Sequence, residues 1–281
     1  MTQQLIRTCH ICQIAPAIGK EHLPSRAASN VGRVEIEFID GVNIGNGIQH
    51  HRIESNDGFW VQALCKKCNE QRTGSRLGGA YADFVEQVSN ASGIEDEPGR
   101  IYIHLKDIYP LRIIKQMFSM FLCAMPQQPL PAWSKLQQFV YNKNEKLPSD
   151  SPQVYLYKNT SEIGRIVPWC AIAEILTNRK PVAFSEIAWS PDGIIYSQGE
   201  DERFASMANI THWGQYSFKD RRNMVIQVPR LRVATDHPLG YGSISDVENW
   251  RKRCGVIWFV AGADYDTSPN NTSMTWQRSR S

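Results

Sequence analysis

Apolar and charged positions alternate over Val34-Glu-Ile-Glu-Phe38, the period-two pattern of a half-buried strand. Asp40-Gly41 follows as a turn signal, Ile48 to Glu54 predicts a second strand, and Asn56-Asp57-Gly58 a second turn. A third strand, Phe59 to Leu64, runs into Cys65. The period then changes. A helix is expected to open at Cys68-Asn-Glu-Gln-Arg72 and to continue through Tyr81, Phe84, Val85 and Val88, which share one face. Beyond residues 89–100, a polar and acidic stretch that reads as a linker, Arg100 to Leu105 predicts a strand. After Pro110, Leu111, Ile114, Phe118, Phe121 and Leu122 recur at helical spacing until Pro126, Pro129 and Pro131 end the run. Trp133 to Tyr141 predicts a shorter helix. After Pro152 the texture turns to β: Val154-Tyr-Leu-Tyr157, Ile163–Ile172, Pro181–Trp189, Ile194–Tyr196, Met224–Val233 and Val256–Val260. Ser190-Pro-Asp-Gly193 reads as a turn, and Trp169, Trp189, Trp213 and Trp258 as core residues.

This pattern divides the chain into residues 1–92, an α+β domain with a substantial antiparallel sheet over 100–262, and a polar tail over 263–281. The most apolar stretch, Ile113 to Met125, is interrupted by Lys115, Gln116 and Ser119. It predicts a buried helix and no membrane association. The first residues lack the apolar core of a signal peptide, so a cytoplasmic location is the expectation.

The net charge of +3 excludes little, but its distribution is uneven. Lys66, Lys67, Arg72 and Arg76 stand against Glu70 alone. Lys219, Arg221, Arg222, Arg230 and Arg232 stand against Asp220, and Arg251-Lys-Arg253 forms a third cluster. Such patches suit a phosphate backbone, with solvated faces as the plain alternative. Around Arg221 and Arg230, Tyr216 and Phe218 are available for stacking.

Four of the seven cysteines fall in two pairs, Cys9-His-Ile-Cys12 and Cys65-Lys-Lys-Cys68. Each pair puts two thiolates on one tight turn, and two such turns brought together make the closed four-sulfur geometry of structural zinc. The 52 residues between the pairs are too many for a lone zinc ribbon and must hold their own structure. Cys123, Cys170 and Cys254 stand alone and read as packed thiols.

Between the knuckles lies Glu21-His22-Leu23-Pro24, and Asn69 directly follows the last cysteine. The order Cys-x-x-Cys, then Glu21-His22-Leu23-Pro24, then Cys-x-x-Cys-Asn resembles the zinc-bearing HNH endonucleases over roughly residues 5–90. The resemblance implies a ββα-metal module, a hairpin and a helix around one catalytic ion. It implies His22 as general base, Glu21 and Asn69 as ligands of Mg²⁺ or Mn²⁺, and Arg72 at the scissile phosphate. Lys66, Lys67 and Arg76 would touch flanking backbone. Hydrolysis of a phosphodiester needs an activated water and a sink for negative charge, which an imidazole and a hard cation supply.

Glu is an unusual first ligand for the family, and the central Asn that steadies the base has two candidates, Asn30 and Asn56. His50 and His51 lie on an expected strand from which one could face the metal. Each feature also has a plainer reading: Asn69 as a helix cap, Arg72 as an exposed helix residue. The resemblance implies a metal-dependent DNA endonuclease, in company with bacterial restriction or antiphage effectors, some of which need a partner protein. The alternatives are a non-catalytic zinc-stabilised module that binds nucleic acid or protein, and a subunit whose β-rich half docks a larger partner.

Overall fold

The computed structural model describes residues 8–43, 47–91, 95–97, 99–125, 133–161, 164–174, 180–232 and 256–260. The fold is mixed α+β. Strand β1 (Gly19–His22) is followed by two long strands, β2 (Val34–Asn43) and β3 (Gly47–Ser55), and then β4 (Trp60–Leu64). β1 and β4 form a separate antiparallel pair, with Glu21 opposite Val61 and His22 opposite Trp60. β2 extends beyond the expected Val34–Phe38, because a bulge between Ile39 and Gly41 absorbs the Asp-Gly pair that reads as a turn.

The chain leaves β4 at Cys65 and becomes helical. Cys68–Leu77 is wound with π-type bonds and runs straight into α1 (Gly78–Asn90). Its face of Tyr81, Phe84, Val85 and Val88 is buried as the spacing requires. The expected linker contributes a short edge strand, β5 (Glu95–Glu97), which pairs with β6 (Arg100–Ile108).

Helix α2 (Pro110–Cys123) is buried on all sides except at Arg112, and takes Lys115, Gln116 and Ser119 inside with its apolar residues. It packs against α1, against α3 (Ser134–Tyr141) and against the π-wound segment. Among the described residues no helix is long and apolar enough to cross a membrane. The remaining strands are β7 (Gln153–Asn159), β8 (Gly164–Glu174), β9 (Val182–Trp189), β10 (Asp192–Ser197), β11 (Ala208–Asn209), β12 (Arg222–Leu231) and β13 (Val256–Val260).

Among the described residues the large sheet has eleven strands in the order β3-β2-β8-β9-β10-β7-β12-β6-β5, with β11 on β7 and β13 on β8. It is antiparallel except where β2 runs parallel to β8 and β12 parallel to β7. Both long strands between the knuckles thus extend the sheet built by residues beyond 100. The core is also continuous, from Cys9 through α1 and α2 to Val228. One face of the sheet meets α2, where the Tyr196 hydroxyl donates to Met117 O at 2.6 Å. Phe118, Phe121, Trp133, Trp169 and Tyr196 form a connected aromatic cluster there. Trp169, Trp189 and Trp213 are buried as expected. The side chain of Trp258 lies outside the described residues.

Candidate metal centre and hairpin site

The ligand atoms of Cys9, Cys12, Cys65 and Cys68 all lie within 4.8 Å of one another. Two tight turns bring them together. In the first, Gln13 N donates to Cys9 O at 2.9 Å, with Gln13 at φ 56°. In the second, Asn69 N donates to Cys65 O at 3.0 Å as the helix begins. The Cys12 and Cys65 sulfurs are 3.9 Å apart, far beyond a disulfide bond and compatible with two thiolates sharing one ion. Cys68 N donates to the Cys65 sulfur at 3.4 Å, which favours a thiolate. The Cys68 thiol and the backbone around Cys12 hold Cys9 down to about 4, whereas the same crowding and burial push Cys68 up. Without a cation the four sulfurs cannot all ionise. A divalent ion draws off the remaining protons, and the donor set therefore fits zinc.

His10, inside the first knuckle, points away from the sulfurs. Its Nδ1 lies 2.9 Å from Leu122 O at the end of α2, and Gln137 of α3 donates to His10 O at 2.9 Å. It serves as a bolt to the helices rather than as a fifth ligand.

The pair β1/β4 and the helix that starts at Cys65 form a strand–strand–helix unit pinned by the knuckles. Asn69 fastens it: its amide Nδ2 donates to Lys20 O on β1 at 2.7 Å. It thus bridges the start of the helix to the strand. His22 is half-buried at the end of β1, with Nε2 3.1 Å from Asp57 O. Burial lowers its pKa below the usual imidazole value, outweighing the Asp57 carbonyl, and Arg26 and Lys20 act in the same direction as burial.

Glu21 leaves the strand on the opposite face, as alternation dictates. It is buried to 5% exposure, and burial raises its pKa to about 8. Gln116 of α2 pulls it the other way without prevailing. The carboxyl and the imidazole do not converge in this arrangement. A protonated, core-facing carboxyl is a poor ligand for a hard cation.

Of Asn30 and Asn56, Asn30 is the buried one. It is fully buried, and its Nδ2 donates to Pro24 O at 2.7 Å and Phe59 O at 2.8 Å. Its Oδ1 accepts from Phe59 N at 2.7 Å. It therefore ties the loop after His22 to the entry of β4. Asn56 is exposed at a turn. Gly58 keeps this contact possible, since its φ is 69° and a Cβ there would stand 2.4 Å from Asn30 Oδ1.

Lys66, Lys67 and Arg76 are exposed along the helix, and Lys20 lies over the Trp60 ring at 4.3 Å beside them. Arg72 sits on the π-wound segment, and its side chain lies outside the described residues. The i→i+5 winding widens the turn, so its three-residue spacing from Asn69 no longer defines a shared face. The side chains of His50 and His51, on β3, also lie outside the described residues. So does the Arg251–Arg253 cluster. The cluster Lys219–Arg232 is divided by β12, which places Arg222 and Arg230 about 26 Å apart along the strand.

Comparison with known protein families, with curated proteins and with solved structures finds no match.

Proposed function

We propose that the chain is a metal-dependent endonuclease of the HNH type, acting on DNA, with His22 as its general base. The observation that carries this reading is the hairpin itself. A strand ending in His22, a second strand running into Cys65 and the helix behind it are fastened by Asn30 and Asn69. His22 suits a base: its lowered pKa keeps the imidazole neutral at physiological pH, able to take a proton from water. The Asp57 carbonyl orients the ring. Lys20, Lys66 and Lys67 supply positive charge near the hairpin for a phosphate backbone. A divalent ion, Mg²⁺ or Mn²⁺, would stabilise charge on the phosphate when bound. Asn69 offers a half-exposed amide for it, but Glu21 as arranged does not fit the ligand role.

That burial of Glu21 favours a second reading, a zinc-stapled module that binds nucleic acid or protein without cutting. The two readings separate in a plasmid-cleavage assay with Mg²⁺ or Mn²⁺, run on the intact chain and on His22→Ala after bound zinc is measured in both. Cleavage that disappears in His22→Ala while zinc is retained supports the nuclease. Zinc-loaded intact protein that leaves the plasmid uncut, alone and with candidate partner proteins, favours the binding module. A place in restriction or antiphage defence belongs to the first reading.

A further inference from the structure

A ladder of cations and rings stands at the N-terminal end of α2, built from three separate parts of the chain. The Arg221 guanidinium lies 4.6 Å from the centre of the Tyr109 ring, and Arg112 lies 3.7 Å from the same ring. Arg112 also lies 4.7 Å from the Phe218 ring, and the Lys143 ammonium 5.0 Å from that ring. Beside them Arg222 covers Tyr216 at 5.3 Å. Tyr109 and Arg112 begin α2, Lys143 follows α3, and the rest precede or open β12.

Here the outer cations face water: the side chains of Arg221 and Arg222 are 54% and 52% exposed, and Lys143 is exposed. Their acidic neighbours, Asp107 and Asp220, answer two of the four cations. The rows are also held in place. Arg112 Nε donates to Phe218 O at 3.0 Å, Arg221 Nε to the Tyr109 hydroxyl at 2.6 Å, and Asp107 N to Asn223 at 2.8 Å. Arg221 spends Nε on Tyr109 and Nη1 on Asp107, and its half-exposed side chain leaves the outer edge of the guanidinium to meet a phosphate oxygen, beside the exposed ammonium of Lys143. Cations already fixed lose little freedom on binding.

We propose that this ladder is a binding surface for the phosphate backbone of a nucleic acid, separate from the hairpin of His22. The ladder stands at the N-terminal end of α2, whereas His10 ties the first knuckle to Leu122, about 15 Å further along the helix from Arg112. The proposal deepens the nucleic-acid reading by naming where a strand is held, and it does not require cleavage.

The test is fluorescence anisotropy of a labelled oligonucleotide, single-stranded in one arm and duplex in the other. Zinc-loaded full-length protein is used in the His22→Ala background without added Mg²⁺, so binding is read apart from cutting. The variant is Lys143→Gln/Arg221→Gln, and the comparison is Lys135→Gln/Lys180→Gln, which removes the same charge elsewhere on the surface. Affinity for at least one oligonucleotide falls roughly tenfold or more in the first variant, and the salt slope shrinks by about 1 to 2. The comparison variant binds as the parent does. Unchanged affinity in a folded Lys143→Gln/Arg221→Gln protein overturns the proposal. Equal losses in both variants overturn it too, and so does equally tight binding of a polyglutamate peptide, which would point to an acidic protein. The plasmid assay of His22 can fail or succeed independently of any of these outcomes.

Discussion

Asn30 is held by three hydrogen bonds at zero exposure: two join the loop after His22 to Phe59 at the entry of β4, and the third closes that loop on Pro24 O. Removing its amide in Asn30→Ala takes their Asn30 partner from Pro24 O and Phe59 N, while Phe59 O keeps Leu23 N at 3.0 Å. A buried polar group without its partner costs about 1–3 kcal/mol. Urea unfolding is expected to show a loss of about 3 kcal/mol or more, and an unchanged midpoint would sink the assignment. A second residue sets a pH dependence. Asp192 is buried in β10 and accepts from the Tyr81 hydroxyl at 2.7 Å. Burial raises its pKa from 3.8 to about 6 against the pull of that hydrogen bond. The folded state then holds a proton that the unfolded state has released between about pH 4 and 6. The contribution of Asp192 to stability is therefore full below pH 4 and is lost as pH rises through 6. Asp192→Asn, which still accepts from Tyr81, abolishes that decline. It should exceed the parent by on the order of 2 kcal/mol at pH 7, while the two converge at pH 4. Urea curves across this range that stay parallel for parent and variant would refute the assignment.

Elements whose signal is local periodicity were legible in the sequence. α2, α3 and β6 to β10 lie where the spacing of apolar residues puts them, and the four sulfurs meet as the two Cys-x-x-Cys turns require. What was not legible depends on partners far along the chain. β2 and β3 read as strands from their own alternation, but nothing local says that β2 will pair with β8. The Glu21–His22 pair reads as one site only through the resemblance, since adjacent residues of a regular strand point to opposite faces. In the structure Glu21 is the buried one, facing Gln116 of α2, and His22 is half-buried. Asn30 and Asn56 were indistinguishable until Gly58 and Phe59 fixed one of them. Gly193 illustrates a change of meaning: it reads as a turn residue, yet it lies in β10. A Cβ there would stand 1.9 Å from the Tyr157 ring. Its missing side chain makes room for a neighbour across the sheet. The π winding after Cys68 also left no trace that periodicity could detect.

At the scale of the whole molecule the four-cysteine cluster is joined to the elements around it. The first knuckle reaches α2 through His10 and Leu122, α3 through Gln137, and β4 through His10 N and Ala63 O at 2.8 Å. Cys9, Cys65 and Cys68 belong to the same continuous core as Phe118 and Trp169. Where four thiolates close on a zinc ion, the metal-binding energy is folding energy. Chelation should therefore do more than loosen the first 90 residues. The end of α2 loses its anchor, and Phe121 beside it carries contacts to Trp133, Trp169 and Tyr196. The expected result is one unfolding transition for the zinc-loaded chain, shifted to lower temperature when zinc is removed. The near-UV circular dichroism of the aromatic cluster should weaken with it, and zinc added back should restore both. If the cluster signal and the melting of the large sheet survive full chelation, the knuckles are an independent appendage. The coupling drawn through His10 and Gln137 would then be wrong.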